Sequence, residues 1–545
     1  MTDQRSSQSS LYWGIAVTVI LLIGLALRLK GIHNPLLDHP AWRQGDTASI
    51  ARNFARLQFN VMYPQTMYNG PPPNYVELEL QIVPFLAATL YKVFGVHEVF
   101  GRLISIVFSL ATIVTVGYFG RWLFSSALAG GLAAFLYAAY PGSVYYGRTF
   151  TPDTAMVFFL TAALYAVTRF LLEDERMAPR PLARVTALLT FAYLAKPVAV
   201  LGIVPVVAAA WERLRAGLTL RASAFAVLAF VPLLVLWLYD RRVASYAEWH
   251  WASGITTLHV LPAFRDALTS ASAFGAKLNA FALVLGMFRA TMAGPVAALL
   301  ALASFVALPW VPARAKSVLW AWLAAALMYV YVVVTVERVD YYMYPLLPLC
   351  ALVTGGAGAR FVQSIWGADV AKPARFALLA AVPILAAIVF WQGVAAAAPY
   401  YRYPKPAYRN AVALAHDLDP NALVVIGHYG PDVQYYIDRF GWEEDPALWT
   451  PFDEESAIRK GSRFFISIED NRLRRNLDLC AWLQRFPLRN PNAEWPVYET
   501  DPAKMLPGAN AFWRAFRRAE IAGTQRAFLD AHRACTLRAD HVEHV

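Results

Sequence analysis

The sequence predicts an α-helical polytopic membrane protein that ends in a small α/β domain. Three observations predict it. Of 545 residues, 58% are hydrophobic and only 16% charged, with a mean hydropathy of +0.41, too apolar for a water-soluble chain of this size. Apolar stretches recur from Leu11 to Val394, many near the roughly 20 residues that cross a bilayer core about 30 Å thick. Beyond the linker-like Tyr400-Tyr-Arg-Tyr-Pro-Lys-Pro406 the composition becomes that of an ordinary globular domain.

The net charge of +11 does not indicate nucleic acid, because much of the Lys and Arg falls in short clusters between apolar stretches, as cytoplasmic loops require. The 17 Trp, 27 Tyr and 32 Phe are high counts, and many cluster at the ends of these stretches, where aromatic belts sit. No internal repeat or low-complexity tract stands out.

The first span is Leu11–Leu29; it is followed by Lys30 without a small-residue cleavage site, so it reads as a retained anchor. The loop 30–102 follows. Within it Asp46 opens a segment whose Ile50, Phe54 and Leu57 recur at helical spacing while Arg52 and Arg56 point elsewhere, the pattern of a helix lying in the membrane interface. Residues 82–91 are apolar, contain Pro84 and have about half the length needed to cross; they read as a second interfacial helix. Further spans read as 103–123, 128–146, 155–172, 185–195, 198–211, 222–239, 293–311, 318–336, 345–361 and 376–394, about eleven transmembrane helices in all. This topology puts Arg176/Arg180/Arg184, Arg213/Arg215/Arg221, Arg314/Lys316 and Lys372/Arg375 on the cytoplasmic side. The opposite face receives the loop 30–102, the turn Arg148-Thr-Phe-Thr-Pro-Asp153, Lys196-Pro197, the loop 240–291 and Glu337-Arg-Val-Asp-Tyr-Tyr-Met-Tyr344. Part of the loop 240–291, with Trp249-His250-Trp251 and His259, reads as lying along the membrane. The domains are therefore 1–394 in the membrane and 395–545 outside it. In the latter, 422–427 and 464–468 read as strands and 432–440 as a helix.

Asp46 and Asp153 are the candidate catalytic carboxylates, since each meets the outer aqueous face after a span. Each also has a structural reading, Asp46 as a helix N-cap and Asp153 as a first-turn acid. Arg43, Arg148, Lys196 and Arg338 are candidate phosphate holders on the same face, although span-end cations also arise by snorkelling. A carboxylate that takes a proton from a hydroxyl, beside cations that hold phosphate, suits transfer with a phosphate leaving group. Glu77 reads as a contact to substrate hydroxyls or as a solvated loop acid. His250 and His259 read more readily as interface histidines than as ligands, and no metal site is assigned. Cys350 lies in a span; Cys480 and Cys535 lie in the tail, where a disulfide is open to them if the tail is extracytoplasmic.

With these residues placed, the chain resembles the GT-C membrane glycosyltransferases, in particular the protein O-mannosyltransferase and ArnT-like superfamily. The resemblance rests on an ordered set: Asp46 in the first outer loop, Pro71-Pro-Pro-Asn-Tyr-Val-Glu77 followed by residues 85–95, Arg148-Thr-Phe-Thr-Pro-Asp153, Ala195-Lys-Pro197, and Asp340-Tyr-Tyr-Met-Tyr-Pro-Leu-Leu-Pro348. It covers residues 11–394. Two departures stand out: Gly45-Asp46-Thr47 lacks the adjacent Glu often found there, and the Asn74–Glu79 region replaces a frequent Lys. The resemblance implies a GT-C fold and inverting transfer of a sugar from a polyprenyl-phosphate donor to an extracytoplasmic lipid, glycan or protein acceptor. It implies Asp46 as base; Arg148, Lys196 and Arg338 on the departing phosphate; and Asp153 and Glu77 ordering the sugar. Asp340, Tyr341 and Tyr342 fall in its late motif and join the substrate-binding set. A divalent metal is left open and is not required. The expected location is a bacterial inner membrane, with active site and tail outside; the competing reading is a transporter or flippase of lipid-linked substrates.

Overall fold

The computed structural model describes residues 2–367, 371–532 and 534–535. They divide into two compact units. The first comprises Met1–Asn34, Phe59–Met62 and Glu77–Arg402; the second comprises Pro35–Gln58, Tyr63–Val76 and Tyr403–Val545. The division differs from the expected boundary at 394/395. It falls between Arg402 and Tyr403, and the second unit also takes most of the loop between Pro35 and Val76.

The first unit is helical. Among the described residues nine helices are long and apolar enough to cross a membrane, and all but one overlap an expected span. The exception is Ala271–Ala293, which the sequence reads as part of an outer loop. Two expected spans are shorter than anticipated, because proline ends the helix: Ala127–Ala139 stops before Pro141 and Pro295–Ala307 stops before Pro309, and each ring lacks an N–H and disfavours helix in the residue before it. The expected span 185–195 is instead longer, running Pro179–Ala195 up to Pro197. The expected interfacial segment 82–91 is the helix Ile82–Phe94, about 20 Å long at 1.5 Å per residue, too short to cross.

Ala127–Ala139 sits at the centre of this unit because its Gly/Ala surface admits close neighbours. A Cβ on Gly130 would run into the carbonyl oxygen of Gly117 on the helix Glu98–Phe124. On another neighbour, the helix Leu347–Gly367, a Cβ on Gly355 would lie 2.7 Å from the carbonyl oxygen of Ala129. Small residues at such crossings let backbones approach where lipid removes the usual hydrophobic driving force.

Four arginines in the unit are wholly buried and serve the fold. Arg28 donates to the Ser109 and Ser143 hydroxyls at 2.7 and 2.6 Å and to the Gly24 carbonyl at 3.0 Å. Arg102 bonds the carbonyls of Gly31, Ile32 and Asn34. Arg148 bonds that of Gly31, and Arg213 bonds those of Leu171, Asp174, Glu175 and Thr219. A guanidinium presents five N–H donors in a fixed fork, so one side chain satisfies several chain-end carbonyls.

The second unit is built on a four-stranded sheet of β1 (Leu423–Gly427), β2 (Gly441–Glu443), β3 (Ser462–Ser467) and β4 (Val497–Glu499), in the order β2-β1-β3-β4. β1 pairs in parallel with β2 and β3, and β4 runs antiparallel to β3. β1, β3 and the helix Pro431–Ile437 fall where the hydrophobic runs of the tail place them, whereas the short β2 and β4 lie outside those expectations. Cys480 and Cys535 form a disulfide with Cα atoms 6.0 Å apart.

The helix carrying Asp46 departs from expectation. It runs Ala41–Arg56, and every residue from Gln44 to Phe54 is buried, so it has no solvated face of the kind an interfacial helix keeps. It packs on Pro431–Ile437 within the same unit: a Cβ on Gly45 would lie 2.8 Å from the Asp432 amide nitrogen. Arg52, expected on the polar face, is buried, pairs with Asp438 at 3.1 Å and lies 4.2 Å over the Tyr435 ring. The apolar periodicity was real, and a protein surface covers what the sequence assigned to lipid.

Adjacent glycines supply a test of the helix crossing in the first unit. Gly130→Ala is expected to lower the thermal midpoint in detergent, with overpacking of about 1–3 kcal/mol, whereas Gly131→Ala, where a Cβ meets nothing within 4 Å, leaves it unchanged in a melting series.

Candidate functional site

In the first unit the polar centre is an ion pair. Asp153 is the first residue of the helix Asp153–Glu173, delivered there by the turn after Arg148, and is buried. Its side chain caps no backbone N–H. Instead Oδ1 accepts from Lys196 Nζ at 2.6 Å, and Oδ2 is buried with no hydrogen-bond partner among the described residues. Lys196 ends the helix Pro179–Ala195; its Nζ also lies 4.5 Å from the ring centroid of Tyr342 and 5.5 Å from that of Tyr341. The structure thus joins four of the sequence candidates, Asp153, Lys196, Tyr341 and Tyr342.

The other candidates of this unit stand in different surroundings. Asp340 is buried, accepting from Tyr400 Oη at 2.7 Å and from the Tyr341 amide at 2.8 Å. Arg148 has its guanidinium 4.9 and 4.6 Å from the Tyr145 and Tyr401 ring centroids and donates to Gly31, contacts that serve folding. Arg338 is exposed and donates to the Thr335 carbonyl at 3.3 Å. Glu77 is no solvated loop acid: it is 1% exposed and accepts from the Ser253 amide at 3.1 Å and hydroxyl at 2.9 Å. Its carboxylate also lies 3.9 Å from His250 Nδ1. Burial pushes its pKa up to about 7; Ser253 pulls it down and Asp240 adds to the rise. His259 faces Glu337 at 3.1 Å. Among the described residues no group of three or more His, Cys, Asp or Glu is arranged to hold a metal ion.

In the second unit, Asp46 is the sixth residue of its helix, whose N-cap is Pro40, so it does not cap the helix. It is buried, and each carboxylate oxygen has a donor: Arg43 Nη1 on Oδ2 at 3.0 Å and Tyr68 Oη on Oδ1 at 3.0 Å. Burial and the Asp46 charge hold the Tyr68 hydroxyl well above the ordinary tyrosine range, so it stays a donor. Tyr68 is absent from the sequence candidates, because nothing in Met67-Tyr-Asn-Gly70 signals a contact made 22 residues away. Behind the helix, His428 bridges Glu469 at 2.6 Å and Asp432 at 3.5 Å. Burial alone would lower its pKa; hydrogen bonds and charge from Asp432 and Glu469 raise it to about 10. A charged His428 therefore steadies Asp432, whose backbone abuts Gly45.

The raised Glu77 pKa gives the protein a pH dependence with a definite sign. Between about 4.5 and 7 the folded state holds the proton more tightly than the unfolded state, so this group's contribution to stability falls as pH rises through that window. Glu77→Gln, permanently neutral, is expected to flatten that part of the thermal-midpoint curve; an unchanged slope would show that Glu77 does not set it.

Comparisons with known proteins follow from this architecture. Residues 81–238 match the family model described as Dolichyl-phosphate-mannose-protein mannosyltransferase. No curated protein sequence matches significantly. Among solved structures, the chain is similar to ArnT from Cupriavidus metallidurans bound to undecaprenyl phosphate, at a TM-score of 0.58 and 13% identity over 90% of this chain and 99% of that one. It is also similar to the oligosaccharyltransferase AglB from Archaeoglobus fulgidus, in complex with an inhibitory peptide and a dolichol-phosphate, at a TM-score of 0.58 and 10% identity over 91% and 75%. The chain is a multi-pass integral membrane protein with the GT-C glycosyltransferase fold.

Proposed function

We propose that the protein transfers a sugar from a polyprenyl-phosphate donor to an acceptor hydroxyl at the extracytoplasmic face of a bacterial inner membrane, with inversion. The observation that carries this reading is the Lys196–Asp153 pair beside an apolar cleft. Met156, one helical turn beyond Asp153, and Val198, two residues beyond Lys196, line that cleft with Leu160, Trp322, Tyr329 and Leu346. A cation at the edge of an apolar cleft matches a lipid phosphate, whose charged head needs a donor and whose chain needs none. The ArnT and AglB structures, each with a polyprenyl-type phosphate, support the same reading over that of a flippase.

In this reading the acceptor oxygen attacks the anomeric carbon, the bond from that carbon to the phosphate oxygen breaks, and Asp46 takes the acceptor proton. Tyr68 and Arg43 aim the Asp46 carboxylate. Lys196, with Arg338, stabilises the departing phosphate, and Asp153 Oδ2, buried without a partner, accepts a sugar hydroxyl. Glu77, Tyr341 and Tyr342 order the donor, while Asp340 holds the Tyr341 turn. Arg148 keeps its place in the fold and is left out of the phosphate seat. The sugar is a hexose or pentose, and the acceptor is a lipid, glycan or protein. The Cys480–Cys535 disulfide supports an oxidising, extracytoplasmic environment for the unit that carries Asp46.

Release of polyprenyl phosphate from a panel of polyprenyl-phosphate sugars tests the proposal. Asp46→Asn is expected to lose about 10²-fold or more in turnover, the usual scale of general-base catalysis, and Tyr68→Phe about tenfold, through a weakened charge-assisted hydrogen bond. Near-normal turnover in Asp46→Asn would remove it as base. Donor movement across proteoliposomes without release would replace transfer by transport.

For orientation, intact protein from cells should resist maleimide labelling at Cys480 and Cys535 until reduced. Labelling without reduction would contradict an oxidising location.

A further inference from the structure

Lys277 is a buried lysine that the reading above does not use. It lies in the helix Ala271–Met287, is 7% exposed and has only neutral partners. Its Nζ donates to Thr335 Oγ1 at 2.9 Å and reaches the Val332 carbonyl at 3.5 Å, with the Tyr331 ring centroid 5.3 Å away. An ammonium has three N–H donors, so these two acceptors leave one unused. No carboxylate among the described residues lies within ion-pair distance. The contrast with the other buried cations is instructive. Lys196 has Asp153, and the buried arginines spread a delocalised charge over several oxygens, whereas an ammonium is a compact charge whose burial without an anion is costly. Ionisable groups in otherwise apolar helices are rare and mark functional positions.

A second cation hangs from the same residue. Arg338 donates Nε to the Thr335 carbonyl at 3.3 Å and has φ +50°, a left-handed conformation uncommon for a non-glycine residue. Neither does it form an ion pair among the described residues, for the adjacent Glu337 engages His259 instead. Two cations anchored to one threonine, one on its hydroxyl and one on its carbonyl, repel each other unless an anion joins them. The backbone here is also irregular: Val330–Val334 is a π-helical turn, a distortion frequent at functional sites. The segment continues into Tyr342, over which Lys196 lies.

We propose that Lys277 and Arg338 form a seat for the phosphate of the lipid-linked substrate, with Thr335 as its anchor. The inference rests on the donor reading above and adds a binding residue to it. Lys277 contributes a charge-assisted hydrogen bond to a phosphate oxygen through the N–H that the protein leaves unused.

The test measures ligand-induced thermal stabilisation of the full-length protein in detergent by undecaprenyl phosphate, inorganic phosphate and phosphatidylglycerol. The wild-type protein is expected to be stabilised most by undecaprenyl phosphate. Lys277→Met should weaken that binding roughly tenfold or more, the worth of one charge-assisted contact, while Lys277→Arg retains most of it. The unliganded midpoint discriminates a binding role from a folding role. If Lys277 is held for a ligand, Lys277→Met leaves that midpoint unchanged or raises it, since removing an uncompensated buried charge relieves a cost; a marked drop, with undecaprenyl phosphate still bound at the wild-type affinity, would make it a structural lysine. Undiminished undecaprenyl-phosphate binding by Lys277→Met overturns the inference. Equal, Lys277-dependent stabilisation by phosphatidylglycerol also overturns it, in favour of a bilayer-lipid site, as would equal stabilisation by inorganic phosphate for a site that recognises no lipid. Failure of the wild-type protein to bind undecaprenyl phosphate would instead overturn the donor reading itself.

Discussion

Much of this structure follows from one constraint: a cation taken out of water must find an anion or several oxygens. The first unit meets it in two ways. Arg28, Arg102, Arg148 and Arg213 are served by carbonyls and hydroxyls, which turns chain ends that would otherwise be unsatisfied into tie points between helices. Lys196 is met by Asp153, which pins the start of one helix to the end of another. Lys277 falls short of both, with one hydroxyl, one carbonyl at 3.5 Å and an N–H unused, and the exposed Arg338 has the Thr335 carbonyl and no carboxylate. The residues most readily assigned to phosphate on the basis of charge alone are therefore separated by their surroundings.

The second unit shows a different economy of parts. Its sheet and helices do not stand apart from the first loop; they include Pro35–Gln58 and Tyr63–Val76. Asp46 is fixed by a glycine that lets two backbones meet, by Tyr68 and Arg43 on its two oxygens, and by the charged His428 that steadies Asp432 behind it. A carboxylate with both oxygens engaged is held in orientation, which is what positioned proton transfer needs. The same packing explains why the segment's amphipathic pattern misled. A buried helix against protein and a half-buried helix against lipid write the same apolar periodicity, and only the partner distinguishes them.

Site residues were legible to unequal degrees. Asp153 and Lys196 are visible in sequence because each follows an apolar stretch in a polar turn, and the fold brings them within 2.6 Å. Glu77 was ambiguous, since burial by Ser253 comes from a segment 176 residues away. Tyr68 and Lys277 carried almost no signal as ligands. Tyr68 sits in a loop of no special pattern, and Lys277 lies in a stretch that the sequence reads as part of an outer loop.

By itself, the sequence determined the membrane class, most of the spans, the short apolar helix Ile82–Phe94, and two of the four strands of the tail, because hydrophobic length and period are local properties that burial in lipid or in a sheet directly requires. Proline positions are local too, and they account for the two spans that end early, before Pro141 and Pro309. Tertiary structure alone decided where the chain divides, which surface covers the helix of Asp46, and which cations are satisfied by several oxygens, by carboxylate or only in part. Those outcomes depend on groups far apart in the chain, and no local pattern records the partner that a buried charge will find.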